Sequence, residues 1–158
     1  MEIRFEGVGV EAGGRRILTD LSAVVTERRV GVVGLNGSGK STLARLLNGL
    51  VLPSTGRVGI DGLDTRRDAA AVRHRVGFVF TDPDAQIVLP TPLEDVAFSL
   101  RRKGLRRDEA RREALAVLAR YGLADRADAP AHLLSGGEKQ LLALAAVLAT
   151  DPALVVCD

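Results

Sequence analysis

The chain has 158 residues, of which 46% are hydrophobic and 27% are charged. This length and balance predict one folded domain with its own core, and they exclude a wholly disordered or fibrous protein. The chain carries 22 basic and 20 acidic residues and only 3% aromatic residues, so no basic, aromatic-rich surface suggests nucleic acid as a partner. The longest apolar run, residues 141–149, is too short to cross a bilayer, and the N-terminus lacks a secretory signal. We therefore expect a cytoplasmic protein.

In the first half of the chain, strand-like and helix-like patterns alternate. Residues 30–33 are a β-branched run that leads directly into a glycine-rich turn, which is typical of a buried strand entering a loop. Apolar positions at helical spacing predict a helix over 43–50, and residues 57–60 predict a second strand. Alternation of this kind is typical of an α/β fold with a mainly parallel sheet.

The second half continues the alternation. A third strand is predicted at 76–80, and a proline-punctuated stretch follows it up to residue 92. Residues 153–157 predict a last apolar strand, in which Cys157 is expected to be a small buried side chain. Between them, two amphipathic helices are predicted. Over 107–121 the buried face comprises Ala110, Ala114, Val117, Leu118 and Tyr121, and in the helix after residue 135 it comprises Leu141, Leu144, Ala145 and Leu148, widened by Leu142.

Residues 34–42 fit the phosphate-loop pattern G-x-x-x-x-G-K-[ST], between a predicted strand and a predicted helix. The glycines allow consecutive N–H groups to face inward and form a nest for an anion. Lys40 would bring a positive charge to the β- and γ-phosphates, and the Ser41 hydroxyl would bind magnesium. Kinases, GTPases and helicases share this loop, so it predicts nucleotide binding and leaves the reaction open. The candidate residues are Gly34, Leu35, Asn36, Gly37, Ser38, Gly39, Lys40, Ser41 and Thr42.

A second motif, Leu-Ser-Gly-Gly-Glu at 134–138, is followed by a helical pattern and then by an apolar run that ends at Asp158. With the phosphate loop upstream, this order resembles the ATP-binding subunits of ATP-binding-cassette (ABC) transporters, whose signature is LSGG followed by Gln or Glu. The resemblance covers nearly the whole chain. It implies an ABC-type nucleotide-binding domain over 1–158, with a P-loop NTPase core and a helical insertion at about 82–140.

The signature motif has two compatible interpretations. Ser135 and Glu138 fit a capping box that stabilises the following helix. A helix start with two glycines also leaves N–H groups free for an anion. The resemblance implies that this anion is the γ-phosphate bound by a facing subunit, so that Ser135, Gly136, Gly137 and Glu138 complete a site in a head-to-tail dimer.

Asp158 ends the last predicted strand, either as a simple strand terminator or as a magnesium ligand. The resemblance implies the magnesium role, through water. In the family, the next residue is a Glu that orients the attacking water, and a His follows later. The sequence stops before both, so we expect a domain that is incomplete at its C-terminus, that binds ATP weakly and that does not hydrolyse it at a useful rate.

Two positions depart from the family pattern. Thr81 stands where the family has the glutamine of the Q-loop, and its shorter side chain cannot reach magnesium and water in the same way. Gln86 lies nearby but at a different position of the pattern, so the role is not transferred to it. The aromatic residue that stacks on adenine is also missing, since residues 8–12 contain none.

Residues 82–88 and 91–98 resemble the energy-coupling-factor branch of the family, which takes up cobalt, nickel, biotin and other vitamins. An ordinary loop and helix of the insertion would explain the same residues. The resemblance implies an ATPase that uses ATP and Mg²⁺, a second ATP-binding subunit and transmembrane subunits as partners, and a peripheral position on the inner face of the cell membrane. Two alternatives stay open, namely a nucleotide-dependent interaction module without turnover and a non-transport ABC ATPase acting on ribosomes or DNA.

Overall fold

The computed structural model describes residues 1–158 and divides into two compact units. Unit 1 comprises residues 1–76 together with Asp158, and unit 2 comprises residues 77–157. No helix in either unit combines the length and the apolar character that spanning a membrane requires. The helices and strands of each unit place the residues of the two predicted motifs.

Unit 1 contains a four-stranded sheet in the order β2-β1-β3-β4. All three of its strand pairs are antiparallel. The turn between the first two strands is Gly13-Gly14, where both residues have positive φ (57° and 72°), as a two-residue hairpin loop requires. The strands are β1 (Ile3–Ala12), β2 (Arg15–Val25), β3 (Thr55–Ile60) and β4 (Leu63–Asp64).

The expectation of a mainly parallel sheet is therefore wrong for this sheet. The hairpin turn explains the difference, because a two-residue connection can only join antiparallel neighbours. The predicted strand at 57–60 is confirmed within β3. No strand forms at 30–33, where the chain is irregular and Val33 is 94% exposed. No strand pairs with this run, so its β-branched residues have no ladder to join.

Two helices complete unit 1, α1 (Lys40–Leu46) and α2 (Ala69–Arg75). The predicted helix over 43–50 therefore starts three residues earlier, and it ends at Leu46, which is fully buried. The buried hydrophobic residues of the unit, listed in chain order, are Ile3, Phe5, Val8, Val10, Leu46, Val58, Ile60, Val72 and Val76.

Unit 2 is mainly helical, with α3 (Pro92–Arg102), α4 (Arg107–Arg120) and α5 (Gly136–Leu148). A two-stranded sheet pairs β5 (Val76–Val79), which begins at the boundary of the units, with β6 (Leu154–Cys157). Three short 3₁₀ turns lie at Pro83–Ala85, Ala124–Arg126 and Ala131–Leu133. The three α-helices and the segments beside them enclose one hydrophobic cluster, which includes Leu93, Val96, Leu118, Leu123 and Leu142.

The predicted buried face is confirmed for four residues of α4 and only in part for α5. In α4, Ala110, Ala114, Val117 and Leu118 are buried as predicted. In α5 the buried stripe is Leu142, Ala143, Ala145 and Ala146, whereas Leu141 is 42% exposed. The buried face of α5 is therefore shifted by about one residue from the predicted face, and alanines of this helix pack in the hydrophobic cluster of unit 2. Cys157 is exposed, which corrects its predicted burial, since only β5 pairs with its strand.

The start of α3 is held by side chains that the sequence analysis did not use. Thr91 caps the helix by accepting a hydrogen bond from Glu94 N–H at 3.3 Å, and Pro92 occupies its first position. The buried Asp95 accepts the N–H groups of Val88 and Leu89 through one carboxylate oxygen, at 3.0 and 3.1 Å. Burial raises the pKa of Asp95, and these two bonds oppose the shift.

Candidate nucleotide-binding site

In unit 1, the predicted phosphate loop leaves several backbone N–H groups without an acceptor. Gly37 and Gly39 have positive φ, 80° and 92°, which side chains rarely adopt. Ser38 N–H donates to the Leu35 carbonyl at 3.1 Å, which closes the turn. The first helical bond of α1 runs from Leu43 N–H to the Gly39 carbonyl, so the N–H groups just before it have no acceptor within the chain.

Close packing makes Gly39 necessary. A Cβ atom at this position would lie 3.0 Å from Leu18 Cδ2 and 3.2 Å from Ile17 Cγ2, both on β2. The start of α1 is thus pressed directly against the sheet of the same unit. The second glycine of the pattern is therefore favoured by both its backbone conformation and the limited space around it.

Lys40 is folded back onto its own loop. Its Nζ donates to the carbonyl oxygens of Gly34 and Leu35, at 2.9 Å each. These two carbonyl oxygens occupy two of the three N–H donors of the ammonium group that is predicted to meet phosphate. Both bonds are to exposed groups, so an incoming phosphate can replace them at little cost.

Ser41 and Asp158, the two residues predicted to bind magnesium, carry suitable ligands, since this cation prefers oxygen atoms such as those of a hydroxyl and a carboxylate. The Ser41 hydroxyl is exposed and makes no hydrogen bond within the chain. Asp158 instead pairs with Arg45, with 3.3 Å between Nη2 and Oδ2, and only 9% of its side chain is exposed. Arg45 was not predicted as a neighbour of Asp158, because the two residues are 113 positions apart in the sequence.

The signature motif of unit 2 forms the predicted capping box at the start of α5. Ser135 Oγ accepts from Glu138 N–H at 3.3 Å, and a Glu138 carboxylate oxygen accepts from Ser135 N–H at 2.7 Å. Gly136 and Gly137 are exposed, and nothing lies within 4 Å of where a Cβ would stand. The cap thus leaves these two N–H groups open to an approaching anion.

Glu138 has a second partner. Arg126 donates its Nε–H to the other carboxylate oxygen at 3.1 Å. The Ser135 N–H lowers the pKa of Glu138, with help from the Ser135 hydroxyl and Arg126, and Glu138 therefore stays ionised at neutral pH. Sequence reasoning missed Arg126, which lies 12 residues before Glu138 and belongs to no motif.

Three hydrogen bonds and ion pairs tie the segment after β5 to α5. Gln86 accepts Phe80 N–H through Oε1 and donates through Nε2 to the Ala143 carbonyl, both at 3.0 Å. Gln140 Nε2 donates to the Thr81 carbonyl at 2.9 Å, and Lys139 pairs with Asp84 at 2.7 Å. We call residues 81–86 with these partners the α5 clamp. The Thr81 side chain itself is exposed and makes no hydrogen bond.

A separate groove of about 450 Å³ lies between α3 and α4. Its apolar floor includes Leu93, Ala97 and Phe98, and arginines stand at its rim. None of the residues predicted to bind nucleotide lines it. This groove is therefore separate from the two glycine-rich motifs.

The sequence pattern that defines the ABC transporter family matches residues 19–158. The chain is 49% identical over 158 residues to the biotin transport ATP-binding protein BioM of Rhizobium etli, covering 100% of this chain and 70% of that protein. It is 50% identical over 129 residues to the energy-coupling factor transporter ATP-binding protein EcfA1 of Symbiobacterium thermophilum, covering 80% of this chain and 45% of that protein.

The fold also matches a solved structure with which the chain shares 29% of its residues. This is the dimeric ATP-binding cassette MJ0796 in a post-hydrolysis state, bound to ADP and phosphate, with a TM-score of 0.86. The match covers 99% of this chain and 73% of that chain. The α/β P-loop NTPase fold expected from the sequence is thereby confirmed, and the chain belongs to the ABC transporter family.

Proposed function

We propose that this chain is the ATP- and Mg²⁺-binding part of a motor subunit, in which ATP binding and hydrolysis are coupled to uptake of a metal ion or vitamin by an importer. The observation that carries the proposal is the presence of two anion-ready backbone sites on one chain. One is the phosphate loop with Lys40, and the other is the capped start of α5 with the open N–H groups of Gly136 and Gly137. The named functions of the BioM and EcfA1 relatives support uptake of biotin or a related substrate.

In this proposal, different residues bind the phosphates and the magnesium ion. The backbone of residues 34–42 binds the phosphates, and Lys40 leaves its two carbonyl acceptors to neutralise the β- and γ-phosphates. The Ser41 hydroxyl, and the Asp158 carboxylate through water, would hold magnesium, which would supply positive charge against the phosphate oxygens. Arg45 holds Asp158 in place from α1.

A second copy or a related ATP-binding subunit completes the site. Because Gly136 and Gly137 are exposed and nothing lies within 4 Å of where their Cβ atoms would stand, an anion held by a facing chain can reach their N–H groups. The dimeric state of the matched cassette supports a head-to-tail pair. Transmembrane subunits supply the path for the substrate, the chain lies on the cytoplasmic face of the membrane, and residues of about 82–140 act as the helical subdomain.

Replacing Lys40 tests the proposal. Lys40→Ala removes a charge-assisted contact to phosphate, so we expect the affinity for MgATP to fall by about 10- to 100-fold. The measurement is a titration with a fluorescent ATP analogue. Lys103→Ala, which removes an exposed lysine that makes no ion pair, is the matched control and should bind as the wild type does. Equal affinity of the Lys40→Ala and wild-type chains would refute the assignment.

One observation favours a second candidate function, a nucleotide-dependent interaction module without turnover. Thr81 occupies the position of the family glutamine, and its hydroxyl has no partner. Measuring phosphate release beside nucleotide binding separates the two functions. Binding that depends on Lys40, without release of phosphate in the presence of the partner subunits, would favour the module.

A further inference from the structure

Glu138 creates an electrostatic problem at the start of α5. Its carboxylate lies in the first turn of the helix, where it caps Ser135 N–H at 2.7 Å. A negative charge there stabilises the helix, but it repels any anion that approaches the N–H groups of Gly136 and Gly137. A signature cap that receives phosphate therefore needs the charge of Glu138 to be balanced.

Arg126 supplies that balance. Its Nε lies 3.1 Å from the carboxylate oxygen that does not cap Ser135, so both oxygens of Glu138 are occupied. Ser135 N–H donates to one oxygen of the carboxylate, and Arg126 Nε–H donates to the other. Arg126 comes from the 3₁₀ turn at Ala124–Arg126, within the same compact unit as α5.

We propose that Arg126 is a positioning residue for the signature cap, which holds and neutralises Glu138 so that Gly136 and Gly137 can bind phosphate. This inference rests on the proposed function, in which the cap contacts the γ-phosphate. Arg126 acts through Glu138 and does not itself touch the nucleotide. Its loss is therefore harmful only while position 138 carries a negative charge.

The test is a double-mutant cycle read at the cap itself. Nuclear magnetic resonance follows the amide signals of Gly136 and Gly137 while MgATP, and separately inorganic phosphate, is added. Arg126→Ala should weaken the affinity reported by these two amides by about three- to tenfold, with a smaller effect at high salt. Glu138→Gln removes the charge that repels the anion, so it should bind more tightly than the wild type. Adding Arg126→Ala to Glu138→Gln should change the affinity by less than about twofold.

Two controls separate the possible failures. The signals of Gly37 and Gly39 report nucleotide in the phosphate loop, so their response in the wild type tests the proposed function independently. Arg120→Ala removes an arginine of the same unit that makes no ion pair, and it should leave the cap affinity unchanged.

Three results would overturn the inference. Unchanged cap affinity in Arg126→Ala would show that the cap does not need this arginine. A double variant as weak as Arg126→Ala would show that Arg126 binds phosphate directly or only supports the fold. Phosphate-loop signals that respond while the Gly136 and Gly137 signals do not would remove the cap as an anion site and leave nucleotide binding intact.

Discussion

Ser135 serves two purposes with one side chain and one backbone. Its hydroxyl accepts a hydrogen bond from Glu138 N–H and so caps the start of α5. Its own N–H donates a hydrogen bond to the Glu138 carboxylate. Helix capping alone explains both bonds. The proposed ligand role needs something more, namely that the surface around Ser135 admits a negative charge.

Two substitutions at Ser135 separate these roles. Ser135→Ala removes the cap, so we expect a loss of about 1 kcal/mol in the free energy of unfolding and a melting temperature about 2–4 °C lower. Ser135→Asp keeps a capping oxygen and adds a negative charge, so it should melt close to the wild type yet form MgATP-dependent dimers poorly. Thermal unfolding and MgATP-dependent dimerisation are measured on both variants. An aspartate variant that dimerises with MgATP as the wild type does would limit Ser135 to capping.

At the scale of elements, the α5 clamp joins the segment after β5 to the helix that starts at the signature motif. Gln86 is its central residue, because its amide bonds to the backbone of both elements. Lys139 and Gln140 add one contact each from the first turns of α5. These contacts hold the segment after β5 and the first turns of α5 together within one unit.

The clamp predicts a specific pattern of hydrogen exchange. In Gln86→Ala, Phe80 N–H loses its acceptor, so we expect its exchange to be about five- to tenfold faster and stability to fall by about 1 kcal/mol. Gln86→Glu is the matched variant, since it can accept from Phe80 but cannot donate to the Ala143 carbonyl. It should protect Phe80 while loosening the contact with α5. Identical protection of Phe80 in the wild type and Gln86→Ala would show that the hydrogen bond contributes nothing.

The local motifs were predictable from the sequence, and the tertiary contacts were not. The phosphate loop and the capping box depend on spacings of a few residues, and the buried face of α4 follows from helical periodicity. The Gly13-Gly14 dipeptide is a typical two-residue hairpin turn, so this antiparallel pair was predictable as well, although it was not predicted. The ion pairs Arg45–Asp158 and Arg126–Glu138 join residues that are 113 and 12 positions apart, so no pattern of neighbouring residues predicts them.

At the scale of the whole molecule, the two anion-ready sites lie on separate compact units of one chain. Neither site alone supplies all the groups that surround a triphosphate in the proposed mechanism. We predict that the phosphate loop of one chain and the signature cap of another act together. Each half of such a shared site can be disabled separately.

Mixing two disabled chains tests this claim most directly. Lys40→Ala disables the phosphate loop and leaves the signature cap intact, whereas Ser135→Asp keeps the helix cap but disables it as an anion site, and it leaves the phosphate loop intact. Sedimentation with saturating MgATP should show dimers for the wild type, monomers for each variant alone, and restored dimers when the two variants are mixed, because a mixed pair contains one intact shared site. A mixture that stays monomeric while the wild type dimerises, or a wild type that stays monomeric with MgATP, would contradict the account.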